Sequence, residues 1–219
     1  MKKQSKVGIV KAEKTNAKKI GISQFVVKQN RPEDLFESRE YYERDKRHGE
    51  SRAIEKIQEQ LTLKLVQSLI PGINLDSKIL DAGCGSGFSM QTLQKLGFAN
   101  VWGIDSSKEM IELAKKKRLN AALGELEKIP FEDETFDAII SISALQWVSK
   151  DETRLGKTAK EFYRTLKNGG VAGIQFYPKS SIELEKTART FKSQGFGVKI
   201  IIENEENARK RKIFLILKK

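Results

Sequence analysis

The residues best suited to chemistry begin with a glycine-rich turn. Lys78-Ile79-Leu80-Asp81-Ala82-Gly83-Cys84-Gly85-Ser86-Gly87 runs from an apolar stretch into three alternating glycines. Gly83, Gly85 and Gly87 let a backbone turn tightly and approach a ligand that a Cβ would keep away. The spacing is Gly-x-Gly-x-Gly, not the Gly-x-Gly-x-x-Gly of dinucleotide binders. Asp81, two residues ahead of the first glycine, would repel a pyrophosphate, but it can order the turn and receive an amino group. The loop, with Cys84 inside it, therefore suits the cationic methionine end of S-adenosylmethionine.

Three more positions belong with it. Asp105 closes a second apolar run 22 residues beyond Gly83, where a carboxylate can accept hydrogen bonds from both ribose hydroxyls, with Ser106 beside it. Gly124-Glu125-Leu126 offers an acid and a backbone amide able to read an adenine edge. Ser141, near the end of a later apolar run, is expected to face the same cleft. A glycine turn needed only for structure would explain the loop alone, but not all four features at once.

The elements that must position these residues alternate. Strands are predicted over Lys78–Ala82, Asn100–Asp105, Leu119–Leu123, Phe136–Ile142 and Val171–Tyr177. Helices are predicted near Ser89–Leu96, Lys108–Arg118, Glu152–Leu166 and Ile182–Gln194, the third of these stopped by Asn168-Gly169-Gly170. An earlier helix carries Ile54, Ile57, Leu61, Leu65 and Leu69 at helical spacing and stops at Pro71-Gly72. Alternating β and α implies a parallel sheet with right-handed crossovers. Val198–Glu203 and Ile213–Leu217 have no helix between them and read as an antiparallel hairpin with a basic tip. In such sheets ligands sit beyond the carboxyl ends of the strands at the switch point, where all four features fall.

Composition narrows the class. The 38% apolar content fits a globular α/β domain, and no apolar run reaches the roughly 20 residues that span a bilayer. Basic Met1-Lys2-Lys3 is not followed by an apolar signal core, and the lone Cys84 excludes an internal disulfide, so a cytoplasmic location is expected. With one His and one Cys, the chain is not expected to ligate a metal itself. Charge is uneven: residues 1–28 hold eight lysines against Glu13 and so carry +7 of the +12 total. Lys115-Lys116-Lys117-Arg118 and Arg209-Lys210-Arg211-Lys212 are further basic clusters. Each is either a solvated face or a contact for a polyanion, and RNA is the expected partner. Residues 1–35 read as a basic extension and 36–219 as the folded domain.

From about residue 50 onward the sequence resembles the class I methyltransferases, through Asp81–Gly87, Gly103-Ile104-Asp105 and Ile129-Pro130-Phe131 with Phe136-Asp137. That resemblance implies a Rossmann-like α/β fold: a seven-stranded, mostly parallel sheet with an antiparallel C-terminal hairpin and helices on both faces. Glu125 departs from the more usual Asp. Arg31-Pro32-Glu33, Tyr41-Tyr42, Ser51-Arg52 with Ile57-Gln58, Ser141–Trp147 and Gln175-Phe176-Tyr177-Pro178-Lys179 further resemble the guanine-N7 methyltransferases of small-subunit ribosomal RNA. The family resemblance implies a role in ribosome biogenesis. It also implies a small zinc-binding activator protein docked beside the Leu119–Leu123 strand, a short, uncharged sheet edge of the kind that invites a cover.

Guanine N7 carries an in-plane lone pair and no proton, so its methylation needs alignment and no general base. Gln146 and Gln175 are candidates to bond the guanine edge, and Trp147 and Tyr177 to form an aromatic wall, with Phe176 a weaker one. His48, alone in a polar stretch, reads as a surface residue. Two other readings fit parts of the sequence. One is a methyltransferase for a carboxylic acid or quinone-like molecule, and the other is a non-catalytic RNA-binding assembly factor on the same fold.

Overall fold

A computed structural model describes residues 9–11, 52–70, 72–207 and 211–219. Arg31–Glu33, Tyr41-Tyr42, His48, Ser51, Arg209-Lys210 and the boundary between residues 35 and 36 lie outside them.

The alternating pattern folds as one mixed sheet. Its strands are β1 (Ile9–Lys11), β2 (Ile79–Ala82), β3 (Val101–Asp105), β4 (Ala121–Leu123), β5 (Phe136–Ile142), β6 (Leu166–Phe176), β7 (Gly197–Glu203) and β8 (Lys212–Lys218), in the order β1-β7-β8-β6-β5-β2-β3-β4. β8 runs antiparallel to β6 and β7, and every other pairing is parallel. β2 to β8 are the seven strands expected from the sequence. β1 adds an eighth, pairing Ile9 through Lys11 with Ile200 through Ile202.

Helix α1 (Arg52–Leu69) places Ile57, Leu61, Leu65 and Leu69 on one buried stripe. It lies so close to β6 that a Cβ on Gly173 would stand 2.7 Å from Leu65 Cδ1. α2 (Phe88–Lys95) and α3 (Lys108–Lys116) share that face, burying Met90, Leu93, Ile111 and Ala114 in the same core. α4 (Glu152–Thr165) and α5 (Ser181–Ser193) cover the other face with Leu155, Ala159, Phe162, Leu184, Ala188 and Phe191. Asp151 starts α4 by accepting from the amides of Thr153 and Arg154.

The largest boundary difference from expectation lies between α4 and β6. The helix over Glu152–Leu166 does not end at Asn168-Gly169-Gly170 but three residues earlier, because Leu166 is already extended and pairs with Phe136. Leu166 is fully buried, and its place in the core draws the chain into the sheet at once. Gly169, with φ +77°, instead belongs to a bulge inside β6, where pairing jumps from Phe136–Leu166 to Ala138–Val171.

The chain runs from β2 outward through β3 to β4, then returns to place β5 on the other side of β2. This makes the β2/β5 junction the switch point of the sheet. The loop after β4 is held by Arg164 of α4. Its guanidinium donates to the carbonyls of Ile129 and Phe131 and to Asp133 and Glu161, while Glu161 accepts from the Ile129 amide. Those contacts hold Glu161 below the usual carboxylate range and raise Arg164 further.

Candidate active site

Beyond the carboxyl ends of β2, β3 and β5 lies a cavity of about 260 Å³. The glycine turn forms its floor. The amides of Gly83 and Cys84 both donate to the Ile104 carbonyl at 2.8 Å, binding the turn to β3. Asp105 ties it from the other side. Its Oδ2 accepts from the Gly85 amide and its Oδ1 from the Ser107 amide, each at 2.9 Å. The Asp105 carbonyl also receives the Gly124 amide at 3.0 Å, which brings the Gly124–Glu127 segment to the cavity. Gly85, with φ +52°, has nothing within 4 Å of where a Cβ would be; a side chain there would project into open space.

Of the residues expected to hold a cofactor, Gly83, Cys84, Gly85, Asp105, Ser106, Glu125 and Leu126 line this cavity. Three do not. Gly87 packs its α-carbon against Leu119 and starts α2. Asp81 is fully buried behind the turn, where Ser89 Oγ donates to its Oδ2 and Oδ1 has no hydrogen-bond partner. Ser141 is also fully buried, and its hydroxyl donates to the Ala82 carbonyl at 2.8 Å. The expectation that Ser141 faces the cleft is therefore corrected: β5 is a central strand, and this side chain bonds to the neighbouring strand.

The acceptor-side candidates divide too. Trp147 lines the cavity at the end of the short 3₁₀ turn Leu145–Trp147 and is 45% exposed. Gln146 and Gln175 do not line it. Gln146 Nε2 donates to the Ser143 carbonyl at 2.8 Å, and Gln175, with no exposed surface, accepts from Ser143 Oγ at 3.0 Å. Direct contact of either amide with a substrate edge is thus not what the structure presents. Phe176 is buried in the α4/α5 core, and Tyr177 packs against the opposite one.

Sequence reasoning gave no site role to Gln58 of α1, Phe88, Met110, Glu127, the Ile142–Ala144 turn or Arg154, all of which line the cavity. Phe88 and Met110 had a usable signal, since each opens the helix that follows a ligand-facing strand. Gln58 and the Ile142–Ala144 turn lay within stretches that carry the family resemblance, and Arg154 had no signal. Arg154 donates to Glu127 and to the Trp147 carbonyl, joining the two sides of the cavity mouth.

Electrostatics favour a cationic ligand. Among the described residues, Asp105, Glu125 and Glu127 line the wall against one cation, Arg154, already paired with Glu127. Burial raises Asp105, although its two backbone amide bonds oppose this. Burial, helped by Asp81 and Asp105, pushes the Cys84 thiol well up, so Cys84 is a neutral packing group and not a nucleophile. The glycine turn, the half-free carboxylate of Asp105 and the acidic wall fit S-adenosylmethionine.

Solved structures with this architecture include geranyl diphosphate methyltransferase in complex with S-adenosylmethionine. It has a TM-score of 0.60 at 14% identity, over 73% of this chain and 84% of that one. A methyltransferase-domain family model matches residues 80–174. The 18S rRNA (guanine(1575)-N(7))-methyltransferase of Saccharomyces cerevisiae is 33% identical over 192 residues, 81% of this chain and 68% of the yeast protein. This chain belongs to the 18S rRNA guanine-N7 methyltransferase family. The Arabidopsis thaliana member RID2 is 31% identical over 201 residues, 86% of this chain and 69% of its own length. The protein is a methyltransferase, and S-adenosylmethionine is its methyl donor.

In this methyltransferase Asp81 makes a testable contribution to stability. Burial, with a smaller push from Asp105, raises its carboxyl to about 7, against about 3.9 for an ordinary aspartate. Between those values the folded chain holds a proton that the unfolded chain has lost. Stability contributed by this group is therefore complete below pH 4, declines as pH rises, and is lost above pH 7. Asp81→Asn should accordingly gain stability relative to wild type as pH climbs from 4 to 7, by on the order of 4 kcal/mol, and no more above that. Urea unfolding across pH 5 to 8 measures this; a pH-independent difference would refute it.

Proposed function

We propose that this methyltransferase modifies N7 of a guanine in small-subunit ribosomal RNA during ribosome assembly. The observation that carries the reading is the 33% identity, over 81% of the chain, to an enzyme named for that reaction. The site supports it chemically. The turn after β5 offers an exposed indole and a hydroxyl, Trp147 and Ser143, which suit a stacked base. A nucleophile with a free lone pair asks no base of its enzyme.

In this reading Gly83 and Gly85 cradle the methionine end of the cofactor, Asp105 takes the ribose, and Glu125 with the Leu126 amide takes the adenine. Bound there, S-adenosylmethionine supplies the methyl group on a sulfonium that is its own leaving group. The chain's part is alignment: Trp147 stacks the extruded base, and the Ser143–Val148 turn limits its approach to one direction. The lysines of residues 1–28 and the hairpin arginines supply the phosphate contacts.

The proposal extends to a small zinc-binding activator on β4. Among the described residues nothing pairs with the outer side of this three-residue strand, and Leu123, its last residue, is 56% exposed. An open, uncharged edge of this kind suits strand addition. No helix among the described residues is long and apolar enough to cross a membrane, and a cytoplasmic site of action is part of the same proposal.

Purification of the chain from its own cells, followed by mapping of methylated bases and identification of co-purifying chains, tests both parts. The expected result is 7-methylguanine at one small-subunit position and a small zinc-binding partner. Methyl transfer to another base or to a small acid would overturn the first part. A fully active chain purified alone would overturn the second.

A further inference from the structure

Ser143 lies on the cavity wall with φ +56°, a backbone conformation that costs a serine strain and that glycine adopts freely. Three hydrogen bonds hold it there. Its amide donates to the Gln175 carbonyl at 2.9 Å, its hydroxyl donates to Gln175 Oε1 at 3.0 Å, and its carbonyl accepts from Gln146 Nε2 at 2.8 Å. The two glutamines are thus fixed in orientation by one residue. Each is left with one buried amide atom that has no partner, Gln175 Nε2 and Gln146 Oε1. Native proteins leave few buried polar atoms unpaired, and such atoms call for an explanation.

From this arrangement, and resting on the guanine reading above, we propose that Ser143 is the residue that selects guanine. A hydroxyl has one hydrogen and two lone pairs. Ser143 commits its hydrogen to the fully buried Gln175, so toward the cavity it offers only lone pairs. Guanine presents two N–H donors on its Watson–Crick edge, N1–H and the 2-amino group, and a lone pair of Ser143 accepts one of them. Adenine places a lone pair at N1, which would face the serine oxygen with no hydrogen between them. Gln175 and Gln146 are positioning residues: Gln175 fixes the direction of the serine hydroxyl, and Gln146 clamps the serine backbone. The strained φ belongs to a residue of the same cavity wall as Trp147, the proposed stacking surface.

The test uses the full chain, with any co-purifying partner, and RNA fragments spanning the mapped guanine. Three fragments carry guanosine, inosine (no 2-amino group) or 2-aminopurine riboside (no N1–H) at that position. Wild type should disfavour whichever analogue lacks the accepted donor, by about tenfold in kcat/KM. Ser143→Ala and Ser143→Gly should bring guanosine down to the rate of that analogue and so erase the preference. The glycine variant suits the positive φ and guards against misfolding, and calorimetry with S-adenosylhomocysteine should give a Kd within about threefold of wild type for each. Variants that bind cofactor yet keep the wild-type preference overturn the assignment of Ser143 and leave the guanine reading intact. A wild type that methylates none of the three fragments overturns the guanine reading, and this inference with it.

Discussion

Trp147→Ala should lower the single-turnover rate on RNA by roughly 100-fold or more while leaving cofactor affinity near wild type. The backbone at this position is held independently of the ring, since its amide donates to the Ala144 carbonyl at 3.1 Å and its carbonyl accepts from Arg154 at 3.2 Å. The substitution therefore removes the indole and keeps the turn. Stacking on an aromatic face is worth roughly 1–3 kcal/mol per base. Misplacing N7 by about 1 Å from the line of attack adds a further loss. The same experiment separates alignment from acid–base catalysis. With N7 as nucleophile, the rate at saturating cofactor should be nearly flat from about pH 6.5 to 8.5. Saturation matters because Asp81, at about 7, changes charge within that window beneath the glycine turn. His48→Ala should stay within a few-fold of wild type. A rate that climbs tenfold per pH unit and collapses without His48 would mean that a proton is being removed, and N7 would no longer be the acceptor.

Strands β2 to β8 were legible because each announces itself twice, by its apolar run and by the turn or helix signal that ends it. Phe136–Ile142 matches its prediction at both ends. The glycine turn, Asp105 and Gly124–Leu126 were legible for a related reason: each follows a strand directly, so its place at the carboxyl edge follows from the topology. What failed was facing. Ser141 and Gln175 sit at the correct end of the correct strands, but they lie in β5 and β6, which are paired on both sides and packed on both faces. There a polar side chain must find a partner within the protein, and one found the Ala82 carbonyl while the other found Ser143.

The Asn168-Gly169-Gly170 stop failed through competition between two local signals. Gly169 does take a positive φ, but in a bulge of β6, because the pairing of Leu166 with Phe136 had already ended the helix. Ser143 was invisible for a deeper reason. Its positive φ and its hydrogen-bonded hub need Gln146 from the same turn and Gln175 from a strand 32 residues on, a conjunction that no local pattern contains.

Asp105→Ala should weaken S-adenosylmethionine at least tenfold, and the structure gives two reasons where the sequence supplied one. A carboxylate has about four acceptor positions. The amides of Gly85 and Ser107 occupy two, which leaves two for the ribose hydroxyls. In the proposed cofactor pose alanine removes the ribose contact, and it also releases the Gly85 amide, loosening the glycine turn. Hydrogen bonds to a charged group contribute roughly 1.5–3 kcal/mol, or about 10- to 150-fold in Kd. Asp105→Asn separates the two losses, because its carbonyl oxygen can still accept from one backbone amide while its NH₂ cannot accept from the other. If the ribose contact dominates, asparagine should fall nearly as far as alanine. If the cradle dominates, asparagine should retain an intermediate affinity. Calorimetry on folded variants reads both, and an alanine variant with the wild-type Kd would remove Asp105 from the cofactor site altogether. Burial adds a pH signature: it raises the Asp105 carboxyl, so wild-type affinity should fall at acidic pH sooner than an ordinary aspartate would predict, and the asparagine variant should lose that part of the dependence.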